Sequence, residues 1–262
     1  STLQIGIDKQ LMTNDLLERE RGKLANRNQT HAEPKPSATV VLVRDCPSRD
    51  GVQVFLLERT SSSDFPGAFV FPGGKIDIED HSESIARITV GLTDEEASEI
   101  LGLESGGLAY WIACIRECFE ETGLLIAHRS SSVVFQPSDE AEKERFTSYR
   151  KRLNSGQHIL EEMCTTESID LAADRLAYLS HWITPTSQKK RYTTRFFIAQ
   201  APDGQDTVHD GSEIISSLWI QPEEALRKQA DGKLLMILPT RMSLQQICGY
   251  RSAAELFDAK KI

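Results

Sequence analysis

The sequence predicts an α/β fold in which a mixed β-sheet lies between helices. Two β-rich runs, 38–44 and 52–58, flank the turn-like segment DCPSRDG, which is typical of a β-hairpin. Two further β-rich runs occupy 192–199 and 214–220. Between these runs, apolar residues recur at the spacing of amphipathic helices. This order of strands and helices favours a layered α/β architecture with helical insertions.

The most clearly predicted helix covers 108–122. Its apolar residues recur at helical spacing, and a glycine follows at the position of a C-terminal cap. These positions are Leu108, Ile112, Ile115 and Phe119, with Gly123 as the cap. We expect the helix to pack against the sheet through its apolar face.

The predicted domain organisation is an N-terminal arm, 1–36, followed by a single domain, 37–262. The arm is polar and ends in HAEPKP, whose two prolines stop any helix, so we expect it to be helical or partly disordered. Helical insertions are predicted at about 80–107 and 138–180. We expect these insertions to form a cap over a cleft.

Local signals place the remaining helices. A capping-box pattern, TDEE at 93–96, opens a short helix that runs to about Ile100. The second insertion is predicted to include a helical segment near 169–179. Pro222 opens a helix at its first turn, where a missing N–H group costs nothing. A last helical segment is predicted at roughly 242–258.

The composition excludes some partners. The chain has 39% hydrophobic residues, enough for a core, and a net charge of −9 from 30 Lys and Arg against 39 Asp and Glu. This negative excess argues against electrostatic binding to nucleic acid or to an anionic membrane, so we expect neither as a partner. The sequence contains no apolar run of about 18 residues and no basic-then-apolar leader, so we expect a cytoplasmic protein.

Cysteine and histidine patterns do not indicate a metal site. The five cysteines are scattered and contain no CxxC pair, and the six histidines form no HxH or HExxH pattern. We therefore expect buried or half-buried thiols.

One motif on the predicted helix does indicate chemistry. Residues 116–121 read RECFEE, and spacings of three and four residues place Glu117, Glu120 and Glu121 on one side of the helix. Three neighbouring carboxylates repel each other unless a cation neutralises them, and oxygen ligands at this density suit Mg²⁺ or Mn²⁺. Such ions usually serve phosphate chemistry. The alternative is a solvated acidic face in which Arg116 forms ion pairs within the helix.

The same residues resemble a known family. PGAFVFPGG at 66–74 and RECFEETG at 116–123 are similar to the box of the Nudix hydrolases, G-x5-E-x7-R-E-U-x-E-E-x-G-U, in which U is aliphatic. In that box the glycine and the arginine lie 14 positions apart, whereas Arg116 follows Gly74 by 42 positions. The interruption resembles the long-insert branch that includes peroxisomal coenzyme A diphosphatases. The resemblance covers roughly 38–240 and implies a Nudix-type α/β/α sandwich.

The resemblance implies a metal site and its catalytic residues. Glu117, Glu120 and Glu121 would bind the metal together with the Gly73 carbonyl, and Arg116 would orient the glutamates. Glu120 would also be catalytic. Two further acidic residues match positions of the Nudix pattern. Asp80 stands six places after Gly74, where the family has a glutamate. Glu213 takes the place of a fourth carboxylate that in some members binds metal or acts as general base. An ordinary loop glutamate is the alternative for Glu213.

Four basic residues are candidate substrate contacts: Lys75, Arg59, Arg191 and Arg195. Because side chains alternate along a strand, Arg191 and Arg195 are predicted to face the same side. Three large aromatic residues are instead predicted to lie in the core: Trp111, Trp182 and Phe146.

The leading functional hypothesis is divalent-metal-dependent hydrolysis of a diphosphate linkage in a nucleoside diphosphate derivative, with CoA or acyl-CoA as the expected substrate. One alternative is an ADP-ribose or NADH pyrophosphatase. The other is a catalytically silent Nudix-fold binding or regulatory module. A homodimer is a possible assembly, by analogy with relatives.

Overall fold

A computed structural model describes residues 32–48, 50–60, 65–130, 133–205 and 214–261. The chain divides into two compact units. The larger unit comprises Lys35–Ile183 and Tyr192–Ile262, and the smaller comprises Ser1–Pro34 and Thr184–Arg191. The predicted arm, 1–36, lies mostly outside the described residues. The architecture below is that of the larger unit.

The larger unit contains an eight-stranded mixed sheet. Its main path runs β12-β3-β2-β1-β10-β9, with β11 also paired to β2 and β4 also paired to β1. The central pair, β1 and β10, is parallel. These strands are β1 (Lys35–Asp45), β2 (Val52–Arg59), β3 (Ala68–Val70), β4 (Gly73–Lys75), β9 (Leu176–Ile183), β10 (Tyr192–Gln200), β11 (Ile214–Ile220) and β12 (Leu235–Met236). The hairpin predicted between β1 and β2 is confirmed.

A second, four-stranded sheet has the order β5-β8-β6-β7. It is also mixed, because β5 and β8 are parallel and β6 is antiparallel to both of its neighbours. Its strands are β5 (Thr89–Val90), β6 (Ala127–Ser130), β7 (Val133–Val134) and β8 (Asp170–Ala172).

The described residues form eight α-helices. They are α1 (Glu83–Arg87), α2 (Asp94–Leu101), α3 (Leu108–Thr122), α4 (Glu140–Asn154), α5 (Leu160–Glu167), α6 (Pro222–Ala230), α7 (Leu238–Ile247) and α8 (Ala253–Lys260). The predicted capping box of α2 forms, since the Thr93 side chain accepts from Glu96 N and the Glu96 side chain accepts from Thr93 N. Gly123 ends α3 with φ 79°, a left-handed conformation that favours glycine.

Two hydrophobic clusters cover opposite faces of the large sheet. One contains the apolar residues of α3, α4 and α5, and the other contains those of α7 and α8. The predicted layered α/β fold is therefore confirmed. Trp111 is buried against Phe197, with ring centroids 4.6 Å apart, and Phe146 is buried against Phe135 at 4.5 Å. Trp182 is partly buried against the second cluster.

The structure corrects two helix predictions. The segment 169–179, predicted as helix, forms β8, a 3-10 turn and the first half of β9. Its residues are apolar on both sides because Leu176 packs into one cluster and Ala177 into the other, which removes the alternation typical of a strand. The last helical segment is two helices, α7 and α8, separated at Gly249, where φ is 85°.

Within the described residues, no helix combines the length and the apolar character that a membrane crossing requires.

Candidate functional site

The site is built on α3, and the first insertion holds the start of this helix. Gly107 offers no side-chain cap, so the free N–H groups find acceptors elsewhere. The Asp94 carboxylate accepts hydrogen bonds from Gly106 N and Leu108 N, each 2.9 Å long, and Ser98 Oγ accepts from Gly107 N at 2.9 Å. A carboxylate at a helix amino end is also favoured by the helix dipole. The inserted residues therefore support the helix that carries the acidic motif.

Arg116 is the centre of the site. Its Nη1 donates to Glu117 Oε1 at 2.9 Å and to Glu120 Oε1 at 3.3 Å. Its Nη2 donates to the carbonyl of Lys75 at 2.9 Å. The guanidinium thus brings two motif carboxylates together and joins them to the backbone of β4. The orienting role that the resemblance implies for Arg116 stays a prediction.

Asp80 completes this network from the other side. Its two carboxylate oxygens accept from Nε and Nη2 of Arg116 at 3.0 and 2.9 Å, and its side chain is 1% exposed. Asp77 lies nearby, with Oδ2 3.6 Å from Nη2. The resemblance indicates the position of Asp80, six places after Gly74, but no role for it. The structure shows a buried, two-pronged ion pair that fixes the arginine.

The FPGG loop lies against the same helix. Gly73 N donates to Glu121 Oε2 at 2.9 Å. A side chain on Gly74 would collide with the carboxylate of Glu117, so only glycine allows the two segments to approach this closely. The motif glutamates are therefore held by Arg116 on one side and by the loop backbone on the other.

Burial and mutual repulsion make the charged glutamates unfavourable in the metal-free protein. Desolvation by burial, with repulsion from Glu120, raises the pKa of Glu117 to about 7, although Arg116 acts in the opposite direction. Burial likewise raises the pKa of Glu120. Burial lowers the pKa of Arg116, but the hydrogen bonds with Asp80 and the charges of Glu117 and Glu120 outweigh it, so the arginine stays protonated. One guanidinium therefore faces three carboxyl groups, those of Asp80, Glu117 and Glu120.

This arrangement fits a hard divalent cation. The donors are carboxylate oxygens, which Mg²⁺ and Mn²⁺ prefer, and two of them already converge on one nitrogen atom. A bound cation would offset the burial and the repulsion from Glu120 that raise the pKa of Glu117.

A different group of possible ligands lies beside the site. Candidate ligand atoms of Asp77, Glu79 and His158 are within 4.8 Å of one another. These side chains are partly or largely exposed, and His158 Nδ1 lies 3.4 Å from Glu79 Oε2. This ion-pair contact accounts for their proximity, so we assign no ion to them.

The basic candidates are distributed unevenly. Lys75 is exposed at the end of β4, and Arg59 ends β2. Arg195 lies on β10 opposite Ala38, which also pairs with Gly74, and its Nη1 donates to the Tyr178 hydroxyl at 3.1 Å. Lys75 and Arg195 therefore lie near the loop that contacts the motif.

The prediction that Arg191 and Arg195 share one strand face is wrong, because β10 begins at Tyr192. Arg191 belongs to the smaller unit, where its guanidinium donates to the carbonyls of Thr184 and Ala32. Glu213, the predicted fourth carboxylate, lies outside the described residues.

The sequence was compared with known families. Residues 92–247, more than half of the chain, match the sequence model of the NUDT19 Nudix domain. The chain belongs to the NUDT19 Nudix family. The matched segment of this family member includes the RExxEE motif, whereas the FPGG loop lies upstream of it.

Curated relatives agree with this assignment. The chain is 26% identical over 235 residues to a Xenopus laevis protein named acyl-coenzyme A diphosphatase NUDT19, which covers 78% of this chain and 62% of the relative. It is 24% identical over 242 residues to the human protein of the same name, and the match covers 80% of this chain and 64% of the human protein. This Nudix family member therefore spans less than two thirds of the length of these relatives.

A solved structure supports the fold. The crystal structure of a Nudix hydrolase from Alicyclobacillus acidocaldarius superposes with a TM-score of 0.71, covering 88% of this chain and 98% of the other, at 21% identity. This likeness confirms the predicted Nudix-type architecture.

The raised pKa of Glu117 predicts how stability depends on pH in the metal-free protein. The folded state binds the proton of the Glu117 carboxyl more tightly than the unfolded state does. Protonated Glu117 therefore contributes to the free energy of unfolding below its unfolded-state pKa, and this contribution is lost as pH rises through about 7. We expect the stability of wild type relative to Glu117→Gln to fall by at most about 3 kcal/mol between about pH 5 and about pH 8. Thermal unfolding of both proteins in a chelator measures it. Parallel pH profiles would contradict the assigned shift.

Proposed function

We propose that this chain hydrolyses the diphosphate linkage of CoA or acyl-CoA with Mg²⁺ or Mn²⁺ as cofactor. The observation that carries the proposal is the convergence of Glu117 and Glu120 on Arg116 beside the FPGG loop. The relatives named acyl-coenzyme A diphosphatase support the substrate class.

The chemistry explains why an acidic site suits an anionic substrate. Negatively charged oxygens surround a diphosphate and repel an attacking nucleophile until that charge is neutralised. A divalent cation, when bound, neutralises these oxygens and lowers the pKa of a coordinated water. The acidic side chains are therefore ligands for the cation, and the net negative charge of the chain is compatible with its substrate.

In this proposal the residues of the chain divide the work. Glu117, Glu120 and Glu121 hold the cation, together with the carbonyl of Gly73. Arg116, fixed by Asp80, keeps two of these carboxylates in place. A carboxylate also accepts a proton from the attacking water, and the candidates are Glu120 and Glu213.

Basic side chains would bind the phosphate groups. Arg195 is placed best, because it lies two strands from Gly74, which corresponds to about 10 Å between Cα atoms at ordinary strand spacing. Among the described residues, no hydrogen-bond partner faces its buried Nε, while its Nη1 donates to Tyr178. Lys75 and Arg59, at the ends of their strands, are further candidates.

A substrate panel tests the proposal. The protein is incubated with Mg²⁺ or Mn²⁺ and, separately, CoA, acyl-CoA, ADP-ribose and NADH, and the products are identified by mass. We expect 3′,5′-ADP from CoA and acyl-CoA, because cleavage at the diphosphate leaves the 3′-phosphate on the nucleotide. AMP formed from ADP-ribose or NADH alone would favour the rival pyrophosphatase. Ligand binding without turnover would favour the silent module.

The possible homodimer stays a prediction, which light scattering on the purified protein checks.

A further inference from the structure

At the carboxyl end of α3, the carbonyl of Glu120 lacks its usual helical partner. In a regular helix the N–H of Leu124 would donate to the carbonyl of Glu120. Here Leu124 N donates to the Thr122 hydroxyl instead, at 3.0 Å, while Gly123 N donates to the carbonyl of Phe119 at 2.9 Å. The carbonyl of Glu120 is thus one of the positions at which the helix end accepts an external donor.

Helix α4, from the second insertion, supplies that donor twice. Arg150 Nε donates to the Glu120 carbonyl at 2.9 Å, and Asn154 Nδ2 donates to it at 3.2 Å. Arg150 and Asn154 are four residues apart, so both lie on the same face of α4. Phe146, one turn earlier, packs edge-on against Phe119 of α3 at 6.4 Å between ring centroids. The two helices therefore contact each other through this aromatic pair and through a polar clamp. The clamp consists of the hydrogen bonds that Arg150 and Asn154 donate to the Glu120 carbonyl.

The clamp acts on a residue that matters for the site. The backbone of Glu120 is held by α4, while its carboxylate is held by Arg116 on the opposite side. A cation at the carboxyl end of a helix also stabilises that end through the helix dipole. Without the clamp, the last turn of α3 could fray, and Glu120 and Glu121 would lose their fixed positions.

We propose that Arg150 and Asn154 are positioning residues that hold the last turn of α3 in the geometry that binds the divalent cation. The inference rests on the proposed metal site. It gives the second insertion a role in metal binding that is separate from the cap expected over the cleft. Removal of groups that hydrogen-bond to metal-binding residues commonly lowers metal affinity about 10-fold to 100-fold.

The test measures Mn²⁺ binding to the full chain by calorimetry in the absence of substrate. We expect Arg150→Ala to bind Mn²⁺ about tenfold more weakly than wild type, and Asn154→Ala to bind it a few-fold more weakly. Arg150→Lys, which keeps a charged donor, should recover part of the affinity. Arg152→Ala is the matched control, because Arg152 lies on the same helix but pairs with Glu162. It should bind Mn²⁺ within about twofold of wild type.

The outcomes separate this inference from the proposed function. If wild type binds Mn²⁺ and Arg150→Ala and Asn154→Ala bind it equally well, the clamp has no role in metal binding, even if both variants melt earlier. If Arg150→Ala does not fold, the Mn²⁺ affinity of Asn154→Ala alone tests the inference. If wild type itself binds no Mn²⁺, the metal site and this inference are both wrong. Intact Mn²⁺ binding with no hydrolysis would contradict the proposed function alone.

Discussion

Glu120→Gln should reduce diphosphate hydrolysis at least about a hundredfold, since it removes a metal ligand and a candidate general base. The same change should leave the metal-free protein as stable as wild type, or more stable. Burial of the carboxylate raises the pKa of Glu120, so its charge is unfavourable when no cation is bound. Steady-state kinetics with CoA and Mn²⁺, together with thermal unfolding in a chelator, measure both effects.

Glu140→Gln is the matched control for this experiment. Glu140 lies in the first turn of α4, with its side chain 78% exposed, and forms an ion pair with Lys143. Its replacement should change neither turnover nor melting beyond experimental error. Undiminished turnover in Glu120→Gln would contradict the proposed role of Glu120 as a metal ligand.

The largest stability effect is expected at Asp80. Removal of one partner from a buried ion pair leaves an uncompensated charge, and such changes cost about 3–5 kcal/mol. Asp80 is 1% exposed and binds the guanidinium of Arg116 through both oxygens. We therefore expect Asp80→Ala to lower the free energy of unfolding by about this amount, as measured by urea denaturation. It should also weaken Mn²⁺ binding, because Arg116 would lose its fixed position.

An exposed ion pair provides the comparison for Asp80. Arg87 and Glu83 lie four residues apart on α1, with side chains 76% and 90% exposed. Arg87→Ala should cost no more than about 0.5 kcal/mol. Equal costs for Asp80→Ala and Arg87→Ala would show that the Asp80 pair contributes no more than a surface contact.

The fold was predictable where the signal is local. Helix α3 carries its apolar stripe, its acidic motif and its terminal glycine within 16 residues, 108–123, so the sequence alone located it. The segment 169–179 was predicted wrongly because β9 is defined by its pairing with β10 and is covered on both faces. Strand formation there depends on tertiary contacts that a local pattern does not show.

The site was predictable in the same uneven way. The spacing of the glutamates on one helix follows from the sequence, and the position of Asp80 follows from the resemblance. The partners of Arg116 and Glu120 from other segments do not follow from the sequence. The hydrogen bond that Arg116 donates to Asp80 spans 36 positions of chain, and the one that Arg150 donates to Glu120 spans 30. No periodicity or motif identifies such contacts, and Arg191 shows that a basic residue near a strand can be occupied elsewhere.

The contacts at both ends of the inserted segment suggest why the box tolerates interruption. Lengthening a flexible connection from 14 to 42 residues costs only about 1 kcal/mol of closure entropy, because that entropy grows with the logarithm of length. Hydrogen bonds from the inserted segment offset this entropy cost, because side-chain oxygens of Asp94 and Ser98 accept from three backbone N–H groups where α3 begins. The inserted segment therefore interrupts the box without loosening the helix that carries the glutamates.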